Sequence, residues 1–259
     1  MIRTSVLSLI ICMSISTVGV FAGPEKAKLT VAAAANLTSV AADLMAAFSS
    51  AHPDIDLDFV FGSSGALTTQ IQNGAPFQVF MAADSSFPDR IVKAGLAAGD
   101  WKIYARGKLV LLSVRPRDFS SGLSLLTKAE VERFAIANPE TAPYGKASVQ
   151  ALQKAGLWEV VKMKAVTAQN IAQAVQYTLT AADLGFVNKS PLYTTDLAAY
   201  TDKEGMNWIE VDDRTYEPLD QAFVVLKPAG TDPAAAAFAA FLASASAKQI
   251  FLAAGYAVP

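Results

Sequence analysis

The residues best placed to do chemistry are Gly62-Ser63-Ser64-Gly65, set between two different hydrophobic periods. Upstream, Ile55, Leu57, Phe59 and Phe61 alternate as along a strand; downstream, Leu67 and Ile71 stand four apart as on a helix. A turn that opens a helix in this way directs unpaired backbone N–H groups outward. It adds two hydroxyl donors and carries the positive end of the helix dipole. It is an anion cradle that uses no basic side chain. An ordinary Ser N-cap on a surface helix has the same local signature, so the reading takes its weight from recurrence.

The device recurs three times. An apolar strand over 29–33 is followed by Asn36, an N-cap whose amide can donate, and by a helix over 37–50 with Val40, Leu44 and Phe48 on one face. The strand Phe134–Ala137 runs into a turn-rich loop over 138–145, where Tyr144 offers a phenolic O–H at the head of a helix carrying Val149 and Leu152. A short strand over 163–167 precedes Asn170, the cap of a helix with Ile171, Val175 and Leu179 at intervals of four. Capping by Asn170 leaves the N–H groups of Ile171 and Ala172 free.

Other chemistries lack their parts. The sequence holds no cluster of His, Cys, Asp and Glu at metal-ligand spacing, no Gly-x-Ser-x-Gly elbow, no Walker loop and no dinucleotide glycine fingerprint. The single histidine, His52, lies in a connector ahead of Pro53 and away from every mouth. A carboxylate ligand usually calls for a bidentate Arg, and no Arg stands at the four mouths. A partly protonated phosphate needs an acceptor carboxylate, and the triplets at the four mouths, 35–37, 63–65, 143–145 and 170–172, carry no Asp or Glu. A fully deprotonated tetrahedral oxyanion, which only accepts hydrogen bonds, fits best. Lys146, two residues beyond Tyr144, is expected to be solvated.

The elements that must position these mouths alternate along the chain. A strand over 79–82 closes on Asp84, the expected cap of a helix over 87–94. A strand over 108–114 is broken by Arg115-Pro116, and a short helix over 128–133 follows. Further strands are expected over 184–187, 208–211 and 222–226, then an Ala-rich helix opened by Asp232-Pro233, and a last helix ending at Gly255. This alternation argues an α/β fold with a largely parallel sheet. Two halves are visible: 23–105, completed by 225–259, and 106–224, with the mouths shared between them across a cleft.

Composition narrows the partners. With 21 basic and 23 acidic residues the net charge is −2, which argues against nucleic acid or an anionic membrane surface. Residues 1–22 read as a secretory signal peptide: Arg3, then an apolar run to Val20, then a small residue at Ala22. The run is too short for a membrane anchor, which needs roughly 20 apolar residues. Cys12, the only cysteine, lies inside it, so the mature chain would have neither disulfide nor thiol chemistry.

On Ala32-Ala33-Ala34-Ala35-Asn36-Leu37-Thr38, Phe61-Gly62-Ser63-Ser64-Gly65-Ala66-Leu67, Gly74-Ala75-Pro76 with Ala82-Ala83-Asp84, and Leu184-Gly185-Phe186-Val187, the chain resembles the periplasmic molybdate-binding proteins of ATP-driven importers. The likeness spans nearly all of the mature chain. It implies a two-lobed, type II periplasmic binding-protein fold with the ligand cleft between the lobes, and a molybdate or tungstate ion held by hydrogen bonds alone. Molybdenum would be present only as the oxyanion, with no protein–metal bond and no cofactor. Carried over by position, the resemblance implies Asn36 and Ser64 as side-chain ligands, Tyr144 as a backbone donor after Pro143, and Ile171 as a backbone donor at a helix start. Asn188 falls where many members place a Tyr whose hydroxyl reaches the anion, a departure that the Tyr144 phenol could make good from the other side. Gln78 stands where an acid is common. The implied partners are the importer's permease and ATPase, for a monomeric periplasmic protein without membrane insertion. Two rivals follow: a carrier of sulfate or another oxyanion, and, from a different class, a secreted serine hydrolase using Ser64.

Overall fold

The computed structural model describes residues 26–193 and 197–259; the signal peptide read over 1–22 lies outside the described residues. Ten strands, β1 Ala27–Ala34, β2 Ile55–Gly62, β3 Val79–Ala82, β4 Lys102–Arg106, β5 Leu109–Leu112, β6 Phe134–Ala137, β7 Ala165–Ala168, β8 Leu184–Asn188, β9 Trp208–Glu210 and β10 Asp220–Val225, form two five-stranded sheets. The first has the order β2-β1-β3-β10-β4 and the second β7-β6-β8-β5-β9. Among the described residues, eight α-helices cover them: α1 Ala41–Ala51, α2 Ser64–Gln72, α3 Ser86–Lys93, α4 Pro143–Lys154, α5 Trp158–Val161, α6 Ile171–Thr180, α7 Pro233–Leu242 and α8 Ala245–Ala253. The architecture is α/β in two layered halves.

Each sheet is mixed where a largely parallel one was expected. β1 runs parallel to β2 and β3, and β6 parallel to β7 and β8. β10 pairs antiparallel with β3 and β4, and β5 antiparallel with β8 and β9. These antiparallel strands are the ones next to the points where the chain passes between sheets. After β4 it crosses at Gly107, and after β9 it returns before β10. The two crossings lie side by side, with Gly107 N–H donating to Leu219 O at 3.0 Å. The boundary expected at 224 is therefore corrected: β10, from Asp220, already belongs to the first sheet. An apolar run shows that a strand exists and is buried; it does not carry the identity of the sheet it joins.

Sheet faces bury the periodic residues. On one face of the first sheet, Phe48 of α1 packs against Phe238 and Phe241 of α7, with ring centroids 5.3 and 5.4 Å apart. On the other face, Leu67 and Ile71 of α2 join Phe87 and Ile91 of α3 over Ala32 and Phe80. In the second sheet, Leu152 of α4 and Ala174 of α6 pack with Phe134, Ile136 and Phe186. Ala34, Ala35 and Ala83, from the strand ends of the first sheet, enter that same cluster. The two halves thus meet through small side chains at the ends of their strands.

Local differences from expectation have local causes. The helix read over 37–50 is a 3-10 turn, Ala35–Ser39, followed by α1; Asn36 lies inside that turn instead of capping α1. The short helix read over 128–133 is displaced to a 3-10 turn at Gly122–Thr127, because 3-10 turns need only three residues and leave no long hydrophobic period. β4 had no reading of its own, since only Tyr104 and Ala105 of its five residues are buried. Asp84 accepts from Ser86 N–H and Ser86 Oγ, a turn ahead of α3. Gln78 extends the β1–β3 ladder: its side chain accepts from Thr30 N–H at 2.8 Å while its own N–H donates to Thr30 O.

Gly145 shows how tightly one mouth is seated. A Cβ added there would overlap Ala137 O at the end of β6. Gly145→Ala should therefore push the start of α4 away from the sheet and lower stability by about 1–3 kcal/mol. Urea unfolding of the variant beside the parent chain measures this; an unchanged midpoint would show that the approach of α4 to β6 is not tight.

Candidate functional site

Three helix starts and one 3-10 turn meet at a single small cavity between the two sheets. Its lining includes Asn36 from the first turn, Ser63 and Ser64 from α2, Pro143 and Tyr144 from α4, and Asn170 and Ile171 from α6. Four of the five residues expected at the site, Asn36, Ser64, Tyr144 and Ile171, are brought together there. The mouths follow from the topology: each lies where the carboxyl end of a strand hands over to a helix, the region at which open α/β sheets place their ligands.

The donors at this cavity can be counted group by group. In α2, Gly65 N–H donates to Thr141 O at 2.8 Å, and Ala66 N–H to Ser63 Oγ at 3.4 Å. Ser64 N–H meets no acceptor among the described residues. Ser64 Oγ accepts from Ala83 N–H at 3.0 Å, which leaves its own proton to donate elsewhere. In α4, Pro143 has no N–H and fills the first helical position, so Tyr144 N–H is the first free donor. In α6, Asn170 caps Gln173 N–H at 3.0 Å, and Ile171 N–H stays uncommitted. Three helix dipoles put their positive ends on the same small volume.

No ionised side chain lines the cavity. Lys146, expected to be solvated, pairs with Glu217 at 2.6 Å on the outer side of α4. His52 ends α1 and lies against the Phe48 ring, 4.7 Å between centroids. No group of three or more metal-ligating side chains occurs among the described residues.

Two expectations are corrected. The Tyr144 phenol does not serve the mouth: its oxygen accepts from Gln221 Nε2 at 3.1 Å, next to Gly107. Burial pushes its pKa well above the ordinary phenol value, so it stays neutral. Asn188 does not line the cavity. Its Nδ2 donates to Asn36 O at 3.2 Å and to Ser190 Oγ at 2.7 Å, so it braces the Asn36 turn from the second half. With a short amide in place of a long phenol, the side chain at 188 ends on the turn behind the cavity.

Behind Asn36 lies a buried polar network that the sequence reading missed. Asn36 Nδ2 donates to Gln221 Oε1 at 3.0 Å and to the Tyr256 hydroxyl at 3.1 Å. The Tyr104 hydroxyl donates to Gln221 Oε1 at 2.9 Å and also lies 3.2 Å from Ala82 O. Burial raises the pKa of Tyr104 and Tyr256 as well. Gln221 is completely buried, and a lone amide heading the apolar run of β10 is the one trace that the sequence held of it.

A family model described as bacterial extracellular solute-binding protein matches residues 29–257. The molybdate-binding protein of Azotobacter vinelandii is 40% identical over 236 residues, 90% of each chain. That of Rhodobacter capsulatus is 37% identical over 227 residues, covering 87% of this chain and 86% of its own. Among solved structures, the periplasmic molybdate-binding protein of Azotobacter vinelandii superposes with a TM-score of 0.81 at 32% identity, over 89% of this chain and 99% of that one. With a match from β1 to the last residues and a shared two-layered architecture, the chain belongs to the bacterial extracellular solute-binding protein family.

Proposed function

We propose that this protein captures molybdate, or its congener tungstate, in the periplasm and delivers it to a membrane permease driven by a cytoplasmic ATPase. The observation that carries the reading is the meeting of Ser64, Tyr144 and Ile171 N–H groups, the Ser64 hydroxyl and the Asn36 amide at one cavity without an ionised side chain. Such a cavity compensates a dianion by oriented dipoles and rejects ligands that bring protons to donate. The names of the relatives from Azotobacter vinelandii and Rhodobacter capsulatus point the same way. Ser64 acts as a side-chain donor, Asn36 does so once its Nδ2 turns from Gln221 and Tyr256 to the anion, and Tyr144 and Ile171 act through their backbone. Asn188 holds the Asn36 turn in place. The protein works as a monomer whose halves close on the anion about the paired crossings at Gly107 and Leu219.

The hydrolase reading has no support in the geometry. Ser64 Oγ is hydrogen-bonded to a backbone N–H, and no His, Lys or carboxylate lines the cavity to activate it.

Calorimetry with molybdate, sulfate and phosphate tests the proposal. Molybdate should bind at least tightly enough for a micromolar Kd, about −8 kcal/mol, and phosphate least well. Sulfate bound more tightly than molybdate would overturn the assignment of the ligand. Ser64→Ala should weaken molybdate binding by about 1–3 kcal/mol with the melting temperature of the free protein kept; an unchanged Kd would remove this hydroxyl from the site. Because the buried phenols stay protonated and the other lining groups carry no charge, the Kd should be flat between about pH 6 and 9, where neither phenol nor carboxylate changes charge. A titration across that range reads it directly, and a break within it would reveal an ionising group at the anion.

A further inference from the structure

The network behind the cavity contains an unpaired atom that points to a role for Gln221. Asn36 is 1% exposed, yet its Oδ1 has no hydrogen-bond partner. Both hydrogens of Nδ2 are spent on Gln221 and Tyr256, so Oδ1 sits on the other side of the same amide, in a residue that lines the cavity. In that sense the amide offers the cavity an acceptor, which an oxyanion cannot use. The Tyr144 hydroxyl, in turn, accepts from Gln221 Nε2 while its own proton meets no acceptor among the described residues.

A half-turn of both amides removes the two defects together. Gln221 Nε2 would then donate to Asn36 Oδ1 and to the Tyr104 oxygen. Tyr104 would donate to Ala82 O, 3.2 Å away. The Tyr144 hydroxyl would donate to Gln221 Oε1. Tyr256, which can accept from Ser190 Oγ at 3.0 Å and gives its proton to Asn36 O at 3.0 Å, would turn that proton to Asn36 Oδ1, leaving Asn36 O to Asn188 Nδ2 and Ser39 Oγ. Every buried group is satisfied, as buried polar networks require, and Asn36 Nδ2 is released to donate into the cavity.

We infer that Gln221 is the positioning residue of the oxyanion site: with the anion bound, its amide donates to Asn36 Oδ1 and thereby holds Asn36 Nδ2 toward the ligand. This rests on the oxyanion reading above. The network also couples the sense of the amides to the relation between the halves. Gln221, Asn36, Tyr104 and Tyr256 belong to the first half, whereas Tyr144 comes from α4 of the second. Tyr144 donates to Gln221 only in the sense that presents a donor to the anion.

The test is a double-mutant cycle with molybdate ion as the probe. Gln221→Met fills the same space without a donor or acceptor. It should weaken molybdate binding roughly 10- to 100-fold, the share of one charge-assisted hydrogen bond. In an Asn36→Ala background the same substitution should change the Kd less than about twofold, because the residue through which Gln221 acts is gone. Equal losses in both backgrounds would overturn the positioning role. So would an unchanged Kd in the single variant. Nuclear magnetic resonance on the wild-type chain saturated with molybdate gives a readout that needs no variant to fold. The Gln221 Nε2 hydrogens should cross-relax more strongly with the Tyr104 ring than with the Tyr144 ring, and the opposite order overturns the inference. Failure of the wild-type chain to bind molybdate at all would instead remove the oxyanion reading itself.

Discussion

Holding a dianion away from bulk water without a countercharge, as the proposed function requires, is the constraint from which the rest of this structure follows. A buried charge is costly unless it is met by oriented groups, and those groups must be unpaired before the anion arrives. Helix starts are the backbone's standing supply of such donors. Charge-assisted hydrogen bonds contribute about 1.5–3 kcal/mol each, and a favourable helix end up to about 2 kcal/mol. Half a dozen such contacts, after desolvation, can reach the roughly −12 kcal/mol of nanomolar binding. To gather them, strands of two separate sheets must end at one place, and small residues such as Ala34, Ala35 and Ala83 let those ends approach.

The same constraint explains what is kept out of the cavity. A basic side chain there would bind many anions by charge alone, and a carboxylate would favour protonated ones. Lys146 is drawn to Glu217 instead. The groups directly behind the cavity are amides and phenols, and burial holds the phenols neutral. Neutral groups cost less to bury than ions and can still fix an orientation through hydrogen bonds. Selection by a site of this kind rests on the count and direction of donors, which is a matter of backbone placement.

That division of labour decides how much was legible in the sequence. That Ser64, Tyr144 and Ile171 stand at helix starts could be read because a helix start has a local signature: a strand period, a small or polar cap, then a helical period. The α/β class and the two halves were legible for the same reason. Gln221 was not, because its importance lies in contacts with Asn36, Tyr104 and Tyr144, which are far away in sequence. The sheet membership of β10 was hidden likewise, since pairing is a long-range choice between equally apolar strands. The Tyr144 phenol was misplaced because residue type reveals that a hydroxyl exists and says nothing of which side of a helix start it leaves from.

A site divided between two halves ties ligand capture to the relation between them. The polar bonds that join the halves near the cavity include Gly65 N–H to Thr141 O at 2.8 Å, Ser39 Oγ to Ser190 Oγ at 2.8 Å, Asn188 Nδ2 to Asn36 O at 3.2 Å, Gln221 Nε2 to the Tyr144 hydroxyl at 3.1 Å, and the Ser190–Tyr256 hydroxyl pair at 3.0 Å. Each replaces bonds to water and is worth only about 0.5–1.5 kcal/mol net, against the entropy of fixing two bodies together. On the proposed function, an anion that reaches Ser64 on one half and Tyr144 and Ile171 on the other would gain its full set of donors only when the halves meet. Its preference for the closed form would then drive the shift, and a permease that recognises the closed outline would receive loaded protein in preference to empty.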